Sequence, residues 1–127
     1  MAFMSALKEE MQQFTSLLKN ATASRSTPLG DNFRKFGPSF GVYEYDDFVE
    51  LAQKFYHEGM NTMDSMYSVI SLSSGRTAID FNGEIRAVYD KFGSPIAFFR
   101  PDYKQLGYSS KIQELQDFRD GKNIAYI

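Results

Sequence analysis

With 127 residues, no cysteine and one histidine, the chain can bury a single hydrophobic core without disulfides or a structural metal, and it excludes thiolate metal sites and cysteine nucleophiles. Hydrophobic residues make up 43% and aromatic residues 16%, the profile of a globular protein and not of a disordered one. A formal net charge of -2, from 14 basic and 16 acidic side chains, does not suit a general nucleic-acid binder, although residues 61 to 127 are balanced at eight of each and leave room for a local basic face.

The opening "MAFMSALKEEMQQF" has neither a basic leader nor an uninterrupted apolar run. The expectation is therefore no secretory signal and no membrane span, and with cysteine absent, a cytoplasmic location. Phe3, Leu7, Met11, Phe14 and Leu18 recur at spacings of four, four, three and four, which places them on one stripe of an amphipathic helix. "NATASRSTPLGDN" then reads as a loop of small polar residues with one Pro and one Gly. This divides the chain into residues 1–30, a helix and loop, and residues 31–127, an α+β domain, together one compact unit.

"YEYDDFVELAQKFYHEG" predicts a second helix, with Asp46 or Asp47 as N-cap, Phe48, Leu51, Ala52 and Phe55 on its buried face, and Gly59 as its end. "MYSVISL" is rich in strand formers, and "SSGR" is a turn. Ile79 and Phe81 alternate up to Asn82-Gly83, the dipeptide that tolerates positive φ at both centres of a type I′ hairpin turn. Ile85, Ala87 and Tyr89 share one face of the next strand and Glu84, Arg86 and Val88 the other; "DKFGS" turns the chain into a last strand, "PIAFF". A closing helix in "SSKIQELQDFRDG" has Ser109 or Ser110 as its cap and Ile112, Leu115 and Phe118 facing inward. The fold class is α+β: helices on one face of a small antiparallel meander.

Motifs for chemistry are sparse. His57 closes the second helix, where a packed ring beside the helix end competes with a general acid or base. No Gly-rich phosphate loop, nucleophile elbow or metal-ligand spacing is present, so the sequence implies no cofactor, no metal and no nucleotide. Arg76, Arg86, Lys91, Arg100 and Lys104 lie on or beside the meander, interleaved with Tyr89, Phe92, Phe99, Tyr103 and Tyr108. Such a pattern can hold single-stranded RNA by phosphate contacts and stacking, and it is also what any half-buried strand displays. Pro101 ends the last strand, since it lacks an N–H; Arg100 and Asp102 then either pair weakly in solvent or join Tyr103 and Lys104 as a binding rim.

Residues 33 to 107 resemble the nuclease domains of colicin D and related contact-dependent inhibition toxins, within the wider barnase-like toxin fold. In those domains a "K-H-G/A-x-x-F-G" segment precedes a helix and a meander ends in a "T-x-F-K-P-D"-like strand; the counterparts here are "RKFGPSFG", "DDFVELAQKFY" and "AFFRPD". The resemblance puts Phe36 where the family has its catalytic histidine, and Ala97 where it has a hydroxyl. RNA cleavage through the 2′-hydroxyl needs a base, an acid and a cation for the phosphate charge. Lys35, Arg76 and Arg100 could supply the cation and only His57 an imidazole.

Two readings follow. The favoured one is a non-catalytic interaction or inhibitor protein on a toxin-nuclease-like scaffold, of the kind a phage or mobile element makes against a host protein. Its partner would be that host target or a cognate immunity protein, met through the rim Arg86, Arg100, Asp102, Tyr103 and Lys104. The alternative is a metal-independent RNA endonuclease of the tRNA-cutting type, with Lys35, His57, Arg76 and Arg100 as displaced catalytic groups. Neither reading involves a membrane.

Overall fold

The computed structural model describes residues 27–127. The amphipathic stripe from Phe3 to Leu18 lies outside them. The described chain runs α1 (Pro28–Phe36), a 3-10 turn (Pro38–Phe40), α2 (Tyr45–Asn61), β1 (Tyr67–Ser71), a 3-10 turn (Ser73–Gly75), β2 (Thr77–Phe81), β3 (Ile85–Tyr89), β4 (Pro95–Phe99) and α3 (Lys111–Arg119). The strands form one antiparallel sheet in the order β1-β2-β3-β4, an α+β fold. No described helix is long and apolar enough to cross a membrane.

α1 starts inside the stretch expected to be a loop. Pro28 occupies the first helical position, where its missing N–H costs nothing, and the Thr27 hydroxyl accepts from the Gly30 N–H at 3.0 Å. Leu29 is buried in the core, so packing begins before residue 31.

α2 begins at Tyr45 with Glu44 as N-cap, and Asp46 and Asp47 fall within its first turn. Gly59 does not end the helix. It is buried within it, and a Cβ there would meet Ile79 Cγ2 at 2.4 Å, so the residue is small because helix and sheet approach closely. Asn82 and Gly83 both have positive φ, 52° and 69°, as expected. Phe81 pairs with Ile85, however, so Glu84 is left out of the ladder as a third loop residue.

The largest departure is that both faces of the sheet are covered. On one face Phe48, Ala52 and Phe55 of α2 pack on Ile79, Ala87, Tyr89 and Phe98 of the sheet. The other face buries Ile70, Ala78, Val88, Ala97 and Phe99 under Phe118 of α3, with Phe36 in the same cluster. β3 is therefore buried on both sides, where helices were expected on one face of the sheet only. α3 turns Leu115 and Phe118 inward as expected, but Ile112 is exposed and Glu114 points into the protein. Ser110 is its N-cap, accepting from the Gln113 N–H at 3.1 Å.

Candidate functional site

β4 ends at Phe99 and the chain turns at the buried Pro101, next to the β2–β3 loop and the C-terminal half of α1. Between these elements lies an open cleft of about 380 Å³ whose walls include Lys35, Phe36, Glu84, Arg100, Asp102 and Tyr103. Lys111 from α3 and Tyr126 from the C-terminal tail complete it.

Each charged wall residue is held by a particular neighbour. Arg100 donates from Nε to Ser39 Oγ at 2.9 Å and from Nη2 to the Ser39 carbonyl at 3.2 Å, and its guanidinium lies 4.2 Å from the Phe40 ring centre. Lys35 places Nζ over Phe36 at 5.4 Å and over Tyr126 at 5.2 Å. Lys111 reaches Glu84 at 3.3 Å, its stem lying against Gly83. Asp102 accepts from the Gln105 N–H at 3.2 Å, and Lys104 lies over the Tyr103 ring at 5.8 Å just outside the cleft. Burial pushes the Tyr126 phenol above its ordinary range, against an opposing backbone hydrogen bond from Asp102. Three cations and two carboxylates thus share one concave surface, with no histidine among them.

The remaining candidates are elsewhere. His57 is exposed on α2, its ring edge-on to Tyr56 at 5.7 Å, and Tyr56 in turn lies beside Gly93 in the β3–β4 turn. Arg76 is exposed at the start of β2, whose Thr77 pairs with Tyr89 at that same end of the sheet. Both are separated from the cleft by the length of a five-residue strand, about 16 Å at roughly 3.3 Å per residue.

Arg86 is not on a rim at all. Its side chain is 1% exposed. Nε donates to Asp80 at 2.8 Å, and Nη1 and Nη2 form a bidentate pair with Glu114 at 2.7 and 2.6 Å. Asn123 donates to Glu114 at 2.8 Å, the Gly83 N–H to Asp80 at 2.9 Å, and the guanidinium packs 4.4 Å from the Phe118 ring centre. Burial alone would lower the Arg86 pKa; the bonds to Glu114 and Asp80 more than offset it and hold the group above its ordinary value. Among the described residues no buried side-chain polar atom lacks a partner, so this network is a closed structural unit.

Sequence reasoning missed Glu84 and Tyr126 as wall residues, since loop and tail positions carry no periodicity that would place them, and Lys111, since the position of its helix relative to the β2–β3 loop is set by tertiary packing. Among the described residues no three His, Asp or Glu side chains come together as a metal site. Compared with known proteins, the chain matches no family model, no curated protein and no solved structure.

Proposed function

We propose that the protein is a non-catalytic interaction protein on a toxin-nuclease-like scaffold, and that its partner is a protein bound at the Lys35–Arg100–Lys111 cleft. One observation carries this reading. Phe36, which the resemblance aligns with the toxin family's histidine, lines the cleft, and no imidazole shares it. A 2′-hydroxyl attack there would have cations for the phosphate and nothing matched to neutral pH for the proton, a loss of about 10²- to 10⁴-fold in rate. Mixed charge points the same way: Glu84 and Asp102 oppose three cations, a pattern suited to a protein surface of mixed sign. The rim consists of Arg100, Asp102, Tyr103 and Lys104, with the host target or immunity protein as the expected partner.

The second reading, an RNA endonuclease, draws on the convergence of Lys35, Arg100 and Lys111 beside the ring of Tyr103. Incubation with total tRNA and ribosomal RNA separates the two, using the unmodified protein, Phe36→His and His57→Ala. No cleavage by the unmodified protein, with cuts appearing in Phe36→His, supports a retired nuclease site. Discrete cuts by the unmodified protein overturn the reading in favour of the enzyme, one acting at the cleft if they persist in His57→Ala and one acting near α2 if they vanish.

A further inference from the structure

The two edges of the sheet are finished differently. At the β4 edge Asn32 of α1 accepts from the outward Phe98 N–H at 2.9 Å and donates to the Tyr126 carbonyl at 3.2 Å, so helix and tail close that side. The β1 edge has no such cover among the described residues. The Asn82 N–H bonds the Met66 carbonyl at 2.9 Å and the Leu72 N–H bonds the Arg76 carbonyl at 2.8 Å. With the β1–β2 register, the antiparallel alternation then turns Ser68 and Ile70 toward β2 and Tyr67, Val69 and Ser71 outward. The Tyr67 N–H is taken by the Asp64 carbonyl, while the N–H and C=O groups of Val69 and Ser71 find no partner among the described residues.

Natural edges are commonly guarded by lysine, proline or a bulge. β1, Tyr-Ser-Val-Ile-Ser, has none of these and pairs with β2 without interruption. Exposed apolar side chains accompany it: Met60 at the end of α2, Met63 and Met66 in the connection, and Val69 on the strand at 51% exposure. The strand's two ends differ in charge. At its start Glu58 accepts from the Tyr67 hydroxyl at 3.1 Å and Asp64 caps the Met66 N–H at 2.9 Å. At its end stand Arg76, which makes no ion pair among the described residues, and Lys91, beside Gly75.

We propose that β1 is a self-association edge: two copies of the chain pair antiparallel about a two-fold axis at Val69, doubling the four-stranded sheet. In that register Val69 faces its own copy and Tyr67 faces the partner's Ser71, so no charge meets its like across the strands. The acidic start of each β1 comes beside the basic end of the other, a match that parallel pairing would lose. This goes beyond the cleft reading, and no wall residue of the cleft lies on β1.

Sedimentation equilibrium of the full chain tests it. The expected mass is twice 14.5 kDa, falling to 14.5 kDa on dilution, in Val69→Lys, and in Arg76→Glu. Val69→Cys adds the single thiol of a chain without cysteine, at a position where paired Cα atoms lie about 5.5 Å apart, within disulfide reach. In a glutathione redox buffer it should cross-link far faster than Phe92→Cys, a more exposed control in the β3–β4 turn. A single-chain mass at every concentration overturns the proposal, as does a dimer indifferent to Val69→Lys, or equal cross-linking at the two positions. A monomer whose Val69 amide resists hydrogen exchange also overturns it, since the edge is then covered from within the same chain.

Discussion

Both faces of the sheet are sealed from water, one by hydrocarbon throughout and the other by hydrocarbon around an ionic centre. Under α2 the seal is hydrocarbon: Phe98 lies among Phe40, Phe48 and Phe55, at centroid distances of 4.6, 5.2 and 5.7 Å. Beneath α3 the centre of the seal is a guanidinium between two carboxylates, each fully bonded. Hydrocarbon packing loses stability gradually as atoms are removed, whereas a buried ionic unit is tolerable only while complete. The second face should therefore be the more brittle.

The largest expected effect tests that contrast directly. Arg86→Met leaves Asp80 and Glu114 buried without their counter-charge and should cost about 3–5 kcal/mol in urea denaturation. Replacing Asp80, Arg86 and Glu114 together by apolar residues of similar volume should recover most of that loss, and failure to recover it would show that the network has a role beyond charge balance. Next, on the hydrocarbon face, Gly59→Ala forces a methyl against Ile79 and should cost about 1–3 kcal/mol by the same measurement.

Tyr89 gives a smaller effect with a pH signature. Burial pushes its phenol well above the ordinary value, and the hydroxyl donates to the Ala52 carbonyl at 2.5 Å. A folded-state pKa raised above the unfolded one gives a contribution that is full below the unfolded pKa and lost as pH rises through the folded one, so stability should fall above about pH 10. Tyr89→Phe should cost about 1 kcal/mol at neutral pH and make that alkaline fall shallower. Smallest in stability is Arg100→Ala, under about 1 kcal/mol because the group is half-exposed, yet it should weaken partner binding at the cleft; unchanged affinity removes this rim from the proposed function.

What the sequence discloses depends on how local the cause is. Asn82-Gly83 announces its turn because both positive φ values are properties of those two residues. Pro28 misleads because the same residue breaks a helix interior and starts a helix, and only the Thr27 cap distinguishes the two. Gly59 reads as a terminator because Ile79, which makes it necessary, is 20 positions away. Arg86 is misplaced for a similar reason: alternation puts it on the polar face of β3, and Glu114, which draws it inward, follows 28 residues later. A signal for Glu114 existed, since positions 114, 115 and 118 form as good a helical stripe as 112, 115 and 118. Lys35, Arg100 and Asp102 were legible as candidates through the motif-like segments and Tyr103 through the interleaving of aromatic and basic residues, but their common cleft depends on the path of the chain after Pro101 and on the tail carrying Tyr126.

The strand order β1-β2-β3-β4 also governs how the chain assembles. Every ladder joins neighbours in sequence, so the sheet can zip up through short loop closures, each of small entropic cost. The helices close over greater distances in sequence, and among the hydrogen bonds that do so are Arg86 to Glu114, and Asn32 to Phe98 and Tyr126, 66 and 94 positions apart. Topology therefore makes the meander the expected nucleus, and the Asn32 contacts, if made after it, are expected to act on the unfolding rate.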